Sequence, residues 1–451
     1  MRIKKIELFL VKVPLSENKP GFFREKPYFL PSWIPGFRQS EVRFYLLKLA
    51  TDKGIEGYAA TPAMGEERKG LGYLLGNYLL GLNPLDIRLV NQRIQEMSYL
   101  GMRSTWIDAA VWDIIGKVKG EPLWKLLGGS GGYVYPYAST GATHDHDTNY
   151  AMEIVRRHID EGFRGVKMRV KSDQIKPMLA YMSAARKAAG NKIDIMVDAN
   201  QGWPVDVLDE TPKWSPNFAL SFAKGLEDYN IRWLEEPINR GNFEGLAYIR
   251  SQTKTPIAGG ELNSSWRDFK TMLEMGCLDI YQPDACLAGG NYAGGISVVY
   301  WIIKEIERRN QAASQTDKKL KFSPHTWTTG LGFAIALHLA GIVPQEKRGL
   351  LEFPLEGHWK VDHWARFLKN NFKPDKEGKI YIPDIPGLGV EIDWNVIMRF
   401  GKRIFIATEM NTALRALCDR GLRKALYLRE KKEEMLARSQ KVEFSIPQPL
   451  F

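Results

Sequence analysis

Cysteine and histidine are scarce in this chain, with three Cys and seven His in 451 residues. Cys277, Cys286 and Cys418 stand too far apart for a disulfide framework or a zinc site, so a reducing, cytoplasmic setting is expected. Long apolar runs are missing too: none approaches the ~20 residues that a membrane span requires. The opening MRIKKIELFLVKVPL is interrupted by Glu7 and Lys12, and no small-residue cleavage site follows it. It therefore reads as a first strand and not as a signal peptide. Internal repeats beyond a strand-helix alternation, and low-complexity tracts, are likewise lacking.

In bulk the chain is ordinary: 44% hydrophobic and 25% charged residues suit a soluble globular protein, and the length suits two domains. The net charge of +11 is uneven, because residues 395–451 hold 12 Lys/Arg against 6 Asp/Glu and so carry +6 of it. The acids are interleaved with the bases and no recognition motif accompanies them. A solvated amphipathic helix over about 410–438 is expected there, and no nucleic-acid partner.

Residues 1–60 alternate like antiparallel strands (KKIELFLVKVPL, VRFYLLKLATDKGIEGYAA) around a loop at 16–40 rich in Pro and aromatics. From about 65 to 128 the pattern is helical, stopped by Gly128 and Gly129. VYPYAS then opens a run of eight short strand-like segments, ending at LLEFP, that alternate with helical patterns. Eight such units over residues 131–360 are the size of one (β/α)₈ barrel. The segment PVDVLDETPKWSPN looks inserted after the third strand, on the active-site face.

Polar chemistry recurs where these segments end. Asp198, Glu235 and Glu261 each close a short apolar run (IDIMVDAN, IRWLEEP, PIAGGE), at separations of 37 and 26 residues. Neighbouring strands would bring three hard oxygen donors to a common point, a set suited to Mg²⁺. Lys167 and Arg169 in GVKMRV, Asp284 in LDIYQPD, His325 in KFSPHT and Glu352 in LLEFP occupy equivalent ends.

These motifs, with WIDAAVWDIIGKVKGEPLWKLLGG before them and PGLGVEIDW after them, resemble the enolase superfamily in its mandelate racemase-like branch. The resemblance covers about residues 1–395. It implies an α/β fold: a modified TIM barrel (131–360) under an N-terminal α+β capping domain (1–130), with residues 361–451 returning to the cap and adding a basic helical extension. It implies Mg²⁺ on Asp198, Glu235 and Glu261, an Asp284–His325 dyad, Glu352 hydrogen-bonded to a substrate carboxylate and Asn200 beside the metal. Glu236, next along the strand, is expected to point to the opposite side. Relatives are commonly homo-oligomers, so one is expected here, with a small carboxylate as substrate and no membrane partner.

Two departures from the family pattern carry information. Racemising members often have Lys-x-Lys, whereas this chain reads Lys167-Met168-Arg169. A guanidinium with pKa above about 12 is a poor base and a good anion clamp. Racemisation needs proton transfer on both faces of the substrate carbon, while dehydration needs one base that then acts as acid. The sequence thus favours a sugar-acid dehydratase with His325 as base and Lys167 as carboxylate contact or accessory acid; racemisation, epimerisation and cycloisomerisation are the nearest alternatives, and a non-catalytic binding protein a further one. The second departure is in the cap, where EGYAATPAMGEER replaces a short Gly-aromatic-Gly-Glu turn. With the aromatic loop this alters the lid, where Arg24, Tyr28, Trp33 and Arg38 are candidate substrate contacts. His144 and Trp327 are candidates at the barrel mouth and Trp266 as a pocket wall. His158 and His363 read as scaffold, and His338, within FAIALHLAGI, as a core residue.

Overall fold

A computed structural model of the chain describes residues 1–15, 38–64, 70–99, 104–140, 146–203, 212–286, 295–314, 318–355 and 359–446. Arg24, Tyr28, Trp33 and His144, and most of the segment inserted after the third barrel strand, lie outside the described residues.

Three strands open the chain: β1 (Ile3–Pro14), β2 (Glu41–Thr51) and β3 (Glu56–Pro62). A short β4 (Tyr133–Val134) leads into β5 (Pro136–Ser139), β6 (Gly165–Arg169), β7 (Asp194–Asp198), β8 (Leu234–Glu235), β9 (Ile257–Gly259), β10 (Ile280–Tyr281), β11 (Lys321–Phe322) and β12 (Leu351–Pro354). β13 (Ile380–Tyr381) pairs with β4, and β14 (Gly401–Thr408) pairs antiparallel with β1.

The cap is thus a four-stranded antiparallel sheet in the order β14-β1-β2-β3. Its central strand β1 is buried through Ile6–Val11, because helices cover its faces and β14, from the far end of the chain, covers its edge. The helix Asp108–Lys119 packs on β3 with Trp112 fully buried. It ends where Gly120 takes a left-handed φ of 69° that a side chain would resist.

β5 to β12 form one curled parallel sheet in the order β11-β10-β9-β8-β7-β6-β5-β12. Helices separate successive strands, as parallel pairing requires. Between β11 and β12 side chains replace the ladder: Ser323 Oγ donates to the Leu350 carbonyl at 3.0 Å and Thr326 Oγ1 to that of Glu352 at 2.9 Å. The sheet's interior floor is Tyr137, Met196, Trp233, Ala258 and Ile280, with Tyr137 and Trp233 edge to face at 5.5 Å.

Cap and barrel are tied by buried polar bonds. The Asp108 carboxylate accepts the backbone N–H of Ser297 at 3.2 Å and of Ile296 at 3.4 Å, at the start of the barrel helix Gly295–Ala312. A second buried carboxylate, Asp113, ties the cap to the C-terminal segment: it accepts from the backbone of Tyr58 at 3.2 Å and Leu388 at 3.0 Å, and pairs with Lys117 at 2.8 Å. The expected C-terminal helix spans Glu409–Ser439 and is kinked at Gly421. Its far end packs on the cap through Leu436, while Leu414, Leu422 and Leu426 remain exposed. Among the described residues no helix is long and apolar enough to cross a membrane.

Candidate active site

The parallel register fixes which polar residues meet. Arg169 pairs with Asp198 across β6 and β7, and Asp198 with Glu235 across β7 and β8. Side chains alternate along a strand, so in register on adjacent strands all three point to the same side, into the barrel above the apolar floor. Lys167, two residues before Arg169, is also inward and 1% exposed.

Lys167 is the hub. Its ammonium lies 2.8 Å from Glu235 Oε1, 2.8 Å from Glu352 Oε1 and 3.3 Å from Asp198 Oδ2. Burial alone would favour its neutral form, but Glu235 and Glu352 outweigh that and raise its pKa well above the ordinary lysine value. Arg169 Nη1 donates to Asp198 Oδ2 and to Asn200 Oδ1, both at 2.7 Å, and its guanidinium lies 4.8 Å over the Trp327 ring. Asn200, at a φ of 47°, returns its side-chain amide to Asp198 at 3.0 Å.

Glu352 accepts from Ser139 Oγ at 2.8 Å, Trp327 Nε1 at 3.0 Å and the Thr326 backbone at 3.1 Å. Burial opposes its ionisation, yet Lys167 and His325 prevail and hold the carboxyl near 2. Glu235 has donors as well, Trp233 Nε1 and Gln282 Nε2, each at 3.0 Å. Burial, with Asp198, Glu352 and Glu261 nearby, outweighs Lys167 and pushes it up to about 7. Trp233, Gln282, Ser139 and Thr326 were not singled out from sequence; the one signal for Trp233 is its position two residues before Glu235, on the same inward face.

His325 Nδ1 is 2.8 Å from Asp284 Oδ2, and Nε2 is 3.5 Å from Glu261 and 3.9 Å from Glu352. With Asp284 as acceptor, Nδ1 carries a proton, which leaves Nε2 to exchange protons on the pocket side. Burial would depress the imidazole, but Glu261, Glu352 and Asp284 raise it to about 9.

Glu236 departs from the strand-alternation expectation. β8 ends at Glu235, and Glu236 takes a left-handed φ of 44°. Its carboxylate does not continue to the outer face but is buried beside Gly202, in the segment that follows β7 and also carries Asn200. Trp266, at the start of the helix Trp266–Met275, is buried with its ring against Trp301. Arg38 is exposed at the start of β2's approach, His158 is buried and contacts Glu161 at 2.7 Å, and His363 lies in the short helix Val361–Trp364. His338 is fully buried.

Six acids (Asp198, Glu235, Glu236, Glu261, Asp284, Glu352) thus face three basic groups (Lys167, Arg169, His325) in one buried cluster. Among the described residues no three His, Cys, Asp or Glu side chains close around one point as they would around an ion. The chemistry of the donor set nonetheless fits a hard divalent cation: its oxygens belong to carboxyl groups, these outnumber the bases, and both Glu236 oxygens are buried without a hydrogen-bond partner among the described residues.

Residues 150–396 match the family model described as enolase C-terminal domain-like, and residues 27–128 match the mandelate racemase/muconate lactonizing enzyme N-terminal domain. The chain belongs to this enolase-like family. The barrel and antiparallel cap are that family's fold. An L-talarate/galactarate dehydratase of Salmonella typhimurium is 26% identical over 422 residues, 89% of this chain and 93% of the relative. An N-succinyl-L-Arg/Lys racemase of Bacillus cereus is 26% identical over 403 residues, 87% and 96% of the two chains. The crystal structure of a racemase from Streptomyces coelicolor with bound magnesium superposes with a TM-score of 0.68 at 22% identity, covering 89% of this chain and all of that one. Dehydration and racemisation thus both occur among relatives of equal identity.

Proposed function

We propose that this protein removes the proton α to the carboxylate of a sugar acid, with Mg²⁺ as cofactor, and eliminates water to give a 2-keto-3-deoxy acid. The observation that carries the reading is an asymmetry among the pocket's basic groups. Lys167 is paired with three carboxylates and Arg169 with Asp198 and Asn200, so neither is free to take a proton. His325, oriented by Asp284, is left as the base.

Asp198, Glu235 and Glu261 would hold the ion. Bound there, it would offset the carboxylate charge that keeps His325 protonated and stabilise negative charge as it develops on the substrate. His325 Nε2 takes the C2 proton, and the electron pair left behind forms the enediolate. The same imidazolium then gives that proton to the departing 3-hydroxyl, so that water leaves and the resulting enol tautomerises to the keto acid. Lys167 orients the substrate carboxylate, and Glu352 stays ionised and holds the Lys167 ammonium in place. Trp327 keeps Glu352 in place through its indole N–H and supports the Arg169 guanidinium.

Racemisation or cycloisomerisation through the same enediolate is the second reading, favoured by the racemase likeness. The test is a panel of aldonic, aldaric and uronic acids with MgCl₂, read by semicarbazone absorbance. A keto-acid signal that is lost with EDTA and in His325→Asn supports the dehydratase; α-proton exchange without keto acid supports the second reading.

A further inference from the structure

Glu236 is the pocket residue without a role in this scheme, and its placement is unusual. It is 3% exposed, and neither carboxylate oxygen has a hydrogen-bond partner among the described residues. Its backbone is pinned on both sides: the N–H donates to the Ala258 carbonyl at 3.0 Å, and its own carbonyl accepts from Gln201 N–H at 3.0 Å. The left-handed φ of 44° swings the side chain out of the strand's alternation. Room for it exists only because residue 202 is glycine, where a Cβ would stand 1.9 Å from Glu236 Oε1. The acids that act on it most strongly are Glu261, Asp198 and Glu235.

A buried carboxyl group with no hydrogen-bond partner is costly, and a bound cation would supply the missing partner. Asp198 and Glu235 already have donors in Lys167, Arg169, Asn200, Trp233 and Gln282. Glu236 has none of these. We propose that Glu236 is a further oxygen donor to the divalent cation, beside Asp198, Glu235 and Glu261, and that Gly202 is required to leave space for its carboxylate. This rests on the metal-dependent reading of the site above.

The experiment is calorimetric titration of MgCl₂ into the full-length protein and into Glu236→Gln, Gly202→Ala and Glu261→Gln. Glu236→Gln is expected to weaken Mg²⁺ binding at least tenfold, and Gly202→Ala to shift it the same way, because the added methyl displaces the carboxylate. The metal-free thermal midpoint of Glu236→Gln should equal or exceed the wild-type value, since the side chain gives up no hydrogen bond. A midpoint far below wild type would make Glu236 a structural residue and overturn the proposal. Unchanged Mg²⁺ affinity in Glu236→Gln, with a loss in Glu261→Gln, would also overturn it while leaving the metal site standing. A wild-type protein that takes no Mg²⁺ would overturn both.

Discussion

Acid should weaken this fold through one buried imidazole, and the effect can be isolated. His338 Nδ1 accepts the backbone N–H of Trp124 at 3.3 Å, so Nε2 carries the hydrogen and donates to the Leu388 carbonyl at 3.1 Å. That neutral tautomer satisfies both nitrogens. A second proton would set N–H against N–H in a site without solvent, and burial depresses the pKa from 6.5 to about 4. Since the unfolded chain binds the proton more readily between these values, folding stability falls as pH drops through that window. At 1.36 kcal/mol per unit the full effect is about 3 kcal/mol, of which about 2.5 kcal/mol is reached near pH 4.5. Asp108 works in the opposite sense: burial raises it from 3.8 to about 7, so its protonation favours the folded state over the same range. Comparison with His338→Gln, which does not titrate, cancels that contribution. Urea unfolding of both proteins from about pH 7.5 to 4.5 should show the wild-type stability, relative to the variant, falling by about 2.5 kcal/mol. A difference that stays flat, or grows as pH falls, would refute the reasoning.

Removing the hub cation leaves three buried carboxylates without their shared partner, so Lys167→Met should lose about 3–5 kcal/mol in metal-free urea unfolding; a loss below about 1 kcal/mol would contradict the pairing seen at Glu235 and Glu352. Asp284→Asn should cost at least about a hundredfold in turnover, with little change in the circular dichroism spectrum, because His325 loses its orienting acceptor. Asp108→Ala should cost about 1–3 kcal/mol and speed hydrogen exchange at Ile296 and Ser297, whose N–H groups it receives. Unchanged exchange there would mean that this tie between cap and barrel is energetically idle.

Much of this site was legible in the sequence because parallel strands point the same way. The C-terminal ends of eight successive segments must share one face, so Lys167, Asp198, Glu235, Glu261, Asp284, His325 and Glu352 could be grouped without coordinates. Glu236 could not, because side chains alternate only within a strand and β8 ends after two residues, at Glu235. β14 was also hidden. GKRIFIAT carries charge at its start and is partly exposed along much of its length, as an edge strand is, so it lacks the apolar run that identified β1. The donors to Glu235 and Glu352 come from Trp233, Gln282, Ser139 and Thr326, residue types whose ordinary role is packing or turn formation; only the register assembles them.

The central claim is that His325 removes the C2 proton and that water is then lost. The most direct test is to run the acid panel in D₂O with MgCl₂ and follow substrate and product by NMR. The account predicts a 2-keto-3-deoxy acid from one of these acids with wild-type protein and none with His325→Asn. Full activity in His325→Asn, or recovery of substrate deuterated and inverted at C2 with no keto acid, would contradict it.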